Sequence, residues 1–257
     1  MTAPHLPAGF REQAEPGALA VTIVTAVLNG AATIGATLRS VAGQTALGDL
    51  EHLVIDGGST DGTIGLVAGS PHRPRLVVEP DHGIYDAFNK GLARARGEWI
   101  AFLNADDVYA HPRVVESVLA AAAREPKVDV FHADQVWVDA SGAAVRAGRF
   151  VHRHAPGSPA ALADYAQFDH KLPVFHSTTF CRRRLFALAG GFDPSYRIAG
   201  DYDLLLRAWL QGASFRHLAG VVVHMRTGRL SERAAVGAPV PRAHDLDVRG
   251  EPRAHRR

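Results

Sequence analysis

Four short apolar runs in the first part of the chain constrain its fold more than any other feature. They are Val21–Val27, Leu53–Ile55, Leu76–Val78 and Ile100–Leu103, and each stops at a polar cluster. Runs of this length, rich in β-branched residues and without polar alternation, read as strands buried on both faces of a parallel sheet. Between them apolar residues recur at helical spacing: Ile34, Leu38 and Val41, then Ile64, Leu66 and Val67, then Ile84, Phe88, Leu92 and Ala95. A further helix is expected from Val114 to Ala122. Strands alternating with helices predict βαβ units with right-handed crossovers. In such a sheet every strand-to-helix junction falls on one edge, where open α/β sheets place their ligands. The junctions here are Asn29-Gly30, Asp56-Gly57-Gly58, Asp81-His82-Gly83 and Asp106-Asp107.

The second half is less regular. Val128–Phe131 and Gln135–Val138 read as strands around a turn at Asp139–Gly142, and His152–Pro159 as loop. Leu185–Ala189 and Asp201–Leu210 have helical spacing with a Gly190-Gly191 stop between them, and Val221–Val223 reads as a late strand. The expected organisation is a loose lead over 1–18, one domain over 19–234 and a disordered basic tail over 235–257. Within the domain, a ligand-binding half ends near 110 and a mixed β/α half follows. A net charge of +2 gives no general pull toward nucleic acid. Cys181 is the only cysteine, which precludes an intrachain disulfide and suits a reducing compartment. There is no apolar run of about 18 residues and no secretory signal pattern, so a cytoplasmic location is expected.

Asp106 and Asp107 repel each other at the end of an apolar run and are costly to desolvate, a cost that a divalent cation or strong donors would remove. A solvated first helical turn is the plainer alternative. At Asp56-Gly57-Gly58 the glycines allow close approach of a ligand, and the carboxylate can accept from a nucleobase or ribose. Neither a dinucleotide fingerprint nor a phosphate loop is present. Ser59, Thr60 and Asp61 read as turn and cap residues. Gly83 opens a helix whose N-terminal amides can face an anion. The fourteen histidines are scattered, with no H-E-x-x-H, and no G-x-S-x-G is evident.

The ordered set V-x-x-x-L-N, V-I-D-G-G-S-T-D-G-T, E-P-D-H-G-I-Y-D-A-F-N-K-G and G-E-W-I-A-F-L-N-A-D-D resembles the family 2 glycosyltransferases, over about Val21 to Ser231. The closest flavour is the bacterial branch that builds polysaccharides and glycolipids. The resemblance implies a GT-A fold: a Rossmann-like, mostly parallel sheet flanked by helices, with a mixed β/α acceptor half. It also implies inverting transfer from a nucleoside-diphosphate sugar to a hydroxyl of a glycan, lipid-linked oligosaccharide or glycolipid. Asp56 matches the base-contacting aspartate. Asp106 and Asp107 match the D-x-D-type position, Asp107 as direct ligand of Mg²⁺ or Mn²⁺ and Asp106 facing the nucleotide sugar. Asn29, Gly83, Asn89 and Lys90 join the donor site. Phe88 stands where many relatives carry arginine, which shifts the diphosphate to Lys90, another cation or the metal.

A-G-D-Y-D-L-L-L-R resembles the downstream acidic motif, with Asp201 as general base and Asp203 in reserve. Helix capping is the structural alternative for Asp201. His176 matches a histidine that relatives follow with glutamine where Ser177 stands, and reads equally as a donor-site or a packing residue. His224 and Arg229 are lesser candidates, for a metal and for the diphosphate. Two other classes compete: a non-catalytic nucleotide-sugar-binding protein of the same fold, and a nucleotidyltransferase, which would want a glycine-rich basic segment where Leu28-Asn29-Gly30 stands. A lipid-linked acceptor would bring peripheral contact with the inner face of the membrane, through Arg242–Arg257.

Overall fold

The structure, a computed structural model, describes residues 6–12, 19–149 and 174–227. The four expected strands form one half of the sheet: β1 (Val21–Val27), β2 (Leu50–Asp56), β3 (Arg75–Val78) and β4 (Trp99–Phe102). They run parallel in the order β3-β2-β1-β4, with Val27 level with Asp56 and Asp56 level with Val78. The crossovers carry α1 (Ile34–Ala42), α2 (Thr63–Ala68) and α3 (Ile84–Arg94). The carboxyl ends of all four strands therefore open on one edge.

Past β4 the sheet becomes mixed. β5 (Val108–Tyr109) and α4 (Val114–Arg124) lead into β6 (Val130–Val138), β7 (Ala144–Gly148), β8 (Phe180–Arg182), α5 (Arg183–Ala189), α6 (Gly200–Leu210) and β9 (Phe215–Arg226). β8 runs antiparallel to both β4 and β6, while β9 runs parallel to β6 and antiparallel to β5. The two strands expected at Val128–Phe131 and Gln135–Val138 are one strand, which continues through Ala133-Asp134 because its pairing with β9 shifts register there. The turn at Asp139–Gly142 does join β6 to β7, with the Asp139 carboxylate accepting from the Ser141 and Ala143 amides. β9 is twelve residues long; Gly220, at φ 111°, interrupts its apolar pattern and left only Val221–Val223 legible. β8, three residues long, is too short to show a period.

Both faces of the sheet are covered, which is why its strands do not alternate. Val24, Ile100 and Phe102 pack with Phe88, Phe186 and Leu204 of α3, α5 and α6. Val21, Ile23 and Trp99 pack on the other face with Val114 and Val118 of α4.

The lead expected to be loose is packed where it is described. Leu6 and Phe10 lie against the first cluster, and Phe10 meets Phe186 edge to face. Arg183, 2% exposed, donates from Nη1 to the Arg11 carbonyl and from Nε and Nη2 to the carbonyls of Gly97 and Ala95. A buried guanidinium needs several acceptors at once, and the lead supplies one of them. No helix among the described residues is long and apolar enough to cross a membrane. The loop expected at 152–159 and the basic tail lie outside the described residues.

Candidate active site

Asp56 ends β2 fully buried. Its Oδ1 accepts from the amides of Gly58 (2.9 Å) and Ser59 (2.6 Å), which fixes the carboxylate, while Oδ2 is buried without a hydrogen-bond partner. A buried carboxylate oxygen left bare is costly and invites a donor from a ligand. Asp81 joins it from the end of β3. A Cβ at Gly57 would collide with Asp81 Oδ2, so the glycine is what lets the Asp81 carboxylate sit against the junction after β2. Leu28, 58% exposed, reaches the same glycine from the end of β1. Asn29, at φ 52°, accepts from the Thr60 amide, and Ser59 accepts from the Asn29 amide. Asp61 accepts from Ala31 and from the Thr63 hydroxyl, and the hydroxyl bond is the main reason its carboxyl is held below the usual range. Asn29, Ser59, Thr60 and Asp61 thus tie the first two junction loops together.

The adjacent carboxylates after β4 differ sharply. Asp107 is fully buried; its Oδ2 accepts from Asn104 (3.1 Å) and from the Ser177 hydroxyl (2.9 Å), and its carbonyl accepts from Thr37 (2.7 Å). Asp106 is only partly buried. Asp107 Oδ2 is thus oriented by Asn104 and Ser177, the kind of bracing that ligating carboxylates commonly receive, while Asp106 has the more open position. Asn104 Oδ1 is buried without a hydrogen-bond partner and adds an oxygen donor to the pair. Among the described residues no three His, Cys, Asp or Glu side chains converge. His224 lies in register with Val108, one residue past Asp107, without completing such a group. The donor set fits Mg²⁺ or Mn²⁺ as these ions are held beside phosphates, by one or two carboxylates with the remaining ligands from substrate and water.

Tyr85, in the first turn of α3, donates to Oδ1 of Asp201 (3.3 Å), in the first turn of α6. Burial first, and then the neighbouring Asp201, push the Tyr85 hydroxyl far up, so it stays a donor. Gly200 makes the approach feasible: a Cβ there would lie 2.8 Å from the Tyr85 ring. Asp203 is spoken for, since its Oδ2 accepts from Arg207, which itself holds the carbonyls of Ala189 and Gly191. Burial nevertheless raises the Asp203 carboxyl. His176 packs among Phe88, Phe102 and Phe192, at ring separations of 5.5 to 6.0 Å.

Three expected donor-site residues have partners within the chain. Asn89 is a clamp: its Nδ2 donates to the Phe192 carbonyl (2.8 Å) and its Oδ1 accepts from the Phe192 amide (2.9 Å). Lys90 donates to the Pro80 carbonyl and pairs with Asp86 (2.9 Å), one turn earlier on α3. The Gly83 amide donates to Asp81 and the His82 amide to Asp86, which fixes the turn before α3; no side chain caps the helix itself. Arg229 lies outside the described residues. Asp81 is legible only as a junction residue and Tyr85 only as part of a motif; their contacts, like that of Ser177, depend on partners far away in sequence.

A family model described as Glycosyl transferase family 2 matches residues 22–186. The chain belongs to this family. A PGL/p-HBAD biosynthesis glycosyltransferase of Mycobacterium bovis is 31% identical to this family 2 chain over 206 residues, covering 79% of the chain and 74% of the relative. The succinoglycan biosynthesis protein ExoO of Rhizobium meliloti is 31% identical over 222 residues, covering 82% and 62%. Among solved structures, S. aureus TarS 1-349 in complex with UDP-GlcNAc superposes with a TM-score of 0.68 at 19% identity, covering 87% of this chain and 62% of that one. Mannosyltransferase PcManGT from Pyrobaculum calidifontis, in complex with GDP-Man and Mn²⁺, gives 0.61 at 20%, covering 87% and 63%. These likenesses show the GT-A fold. The chain spans about 60% of the TarS and PcManGT chains it matches.

Proposed function

We propose that the chain is an inverting glycosyltransferase that moves a sugar from a nucleoside-diphosphate donor to a hydroxyl of a glycan or lipid-linked acceptor. The observation that carries the reading is the Tyr85–Asp201 pair, which holds a carboxylate in a fixed orientation on the edge where Asp56 and Asp106 also open. Asp201 would accept the proton of the acceptor hydroxyl as it attacks the anomeric carbon from behind. The nucleoside diphosphate leaves, and no covalent intermediate forms. The Tyr85 hydroxyl keeps one oxygen of Asp201 in place, leaving Oδ2 for the acceptor. Asp203 is a poor second choice because Arg207 occupies it.

Asp56 would accept an N–H of the base through its bare Oδ2, against an apolar surface from Leu28. Asp106, with Asn104 Oδ1, would hold Mg²⁺ or Mn²⁺, and Asp107 would brace the loop from behind. When bound, the cation neutralises charge building on the leaving diphosphate. Relatives named for PGL/p-HBAD and succinoglycan biosynthesis, and solved neighbours bound to UDP-GlcNAc or to GDP-Man and Mn²⁺, support a glycan-type acceptor, a nucleotide sugar and a divalent cation.

The test is calorimetric titration of a panel of nucleoside diphosphates, with and without Mn²⁺, beside donor turnover in the native chain, Asp201→Asn and Asp203→Asn. Asp201→Asn is expected to keep nucleotide affinity and lose about 10²–10⁴-fold in turnover, the usual scale for a general base. Equal loss in both variants, or no nucleotide bound under any metal condition, refutes the assignment.

A further inference from the structure

The opposite edge of the sheet carries a cavity of about 230 Å³, where β2 and β3 begin. Leu50 opens β2 beside it and Asp56 ends that strand, so about 20 Å of extended chain separates the cavity from the ligand edge. Leu47 and Leu50 line it together with Arg73, Arg75 and Arg96.

Its charge is unbalanced toward the positive. Glu51 is the only carboxylate among the lining residues, and its capacity is spent: Oε2 accepts from the Thr22 hydroxyl (2.8 Å) and the Arg96 amide (3.0 Å), and Oε1 pairs with Arg75 (3.2 Å). The Arg96 guanidinium, 65% exposed, stands 3.8 Å from that oxygen. Arg73 has no ion pair among the described residues. It also sits at φ 50°, a left-handed conformation that suits glycine and strains an L side chain. A strained position filled by an unpaired arginine at a cavity mouth points to a use for the cation.

Two lining histidines are tied into a hydrogen-bonded chain. His52, 4% exposed, meets Thr25 Oγ1 through Nε2 (3.1 Å) and His72 through Nδ1 (2.9 Å), and His72 Nδ1 meets the Ser70 hydroxyl (2.9 Å). Both imidazoles are thus held by partners on either side.

We propose that this cavity binds the phosphate group of a small phosphate ester. Guanidinium forks match phosphate oxygens, and the leucine wall suits the carbon part of an ester, which a bare inorganic ion lacks. The volume falls below the roughly 300–1,000 Å³ of pockets that enclose drug-sized ligands, so the cavity is too small to be a second nucleotide-sugar site. A phospholipid headgroup and a soluble phosphate ester share this chemistry, and the experiment separates them.

The imidazole NMR resonances of His52 and His72, assigned with His72→Gln, report on this cavity and not on the far edge. The full chain is titrated with inorganic phosphate, with glycerol 3-phosphate, and with phosphatidylglycerol or phosphatidylcholine vesicles. Saturable shifts with glycerol 3-phosphate, tighter than with inorganic phosphate, support a soluble ester. Vesicle binding that needs phosphatidylglycerol and Arg73 supports a lipid headgroup. Arg73→Gly removes the cation and relieves the positive φ, so it is expected to keep or raise thermal stability while weakening binding about tenfold or more. Arg96→Ala, exposed and harmless to folding, is expected to weaken binding in the same direction. Silence of both imidazoles with every probe, equal affinity for phosphate and its ester, or unchanged binding in Arg73→Gly overturns the proposal.

Discussion

Asn89→Ala separates a structural clamp from a donor ligand. Asn89 makes two hydrogen bonds to the backbone of Phe192, a residue 1% exposed. Each is worth about 1 kcal/mol net, and a buried amide or carbonyl left bare costs about 1–3 kcal/mol. Water entering the space of the lost carboxamide recovers part of that, so the expected loss is about 2–4 kcal/mol, a large fraction of the roughly 5–15 kcal/mol that holds a domain folded. The consequence spreads, because the Phe192 ring packs on Tyr85, Phe88 and His176, and Tyr85 orients Asp201. Urea unfolding is the assay: the midpoint should fall with the slope unchanged, while nucleoside diphosphate affinity of the folded protein stays as it was. Asn89→Asp should be at least as damaging, since it sets a carboxylate oxygen against the Phe192 carbonyl. Native stability together with about tenfold weaker nucleotide binding would refute the clamp and return Asn89 to the donor site.

Asp56→Asn keeps Oδ1 for Gly58 and Ser59 but places an amide where the bare oxygen stood; nucleotide affinity, read by calorimetry, is expected to fall about 10- to 100-fold with folding intact. Burial pushes the Cys181 thiol up to about 12, so a maleimide or disulfide reagent is expected to label the chain only after unfolding. Burial, and then His72, push the His52 imidazole from 6.5 down to about 3. Between those values the unfolded chain binds the extra proton, so stability is full above the unfolded value and is lost as pH falls through the window. The slope is at most about 1.4 kcal/mol per pH unit. His52→Gln should remove that part of the acid slope, measured as the difference in urea midpoints between pH about 4 and 7.

The parallel half was legible because a strand buried on both faces must be apolar throughout, and a helix packed on it must be apolar every third or fourth residue. Those requirements act on neighbouring residues, so Val21–Val27, the helix from Ile84 and the run up to Phe102 carry them openly. Asp56 and the Asp106–Asp107 pair were legible for the same reason: each marks where a buried strand stops, and in a parallel sheet the stops share an edge. At the described part of the lead, Phe10 meets Phe186 and Leu6 packs on the same cluster, contacts made far along the chain.

What the sequence by itself determined is the sheet's parallel half, its ligand edge and the carboxylates on it. The tertiary structure alone decided which polar groups along that edge have partners within the chain. Asn89 is held by Phe192, Lys90 by Asp86 and Pro80, and Asp107 by Asn104 and Ser177, while Asp201 is aimed by Tyr85 across 116 positions of chain. A hydrogen bond is directional and short, so whether a side chain is free for a ligand depends on a few ångströms of three-dimensional placement. Periodicity and motif spacing fix which element a residue lies on; they do not fix that distance.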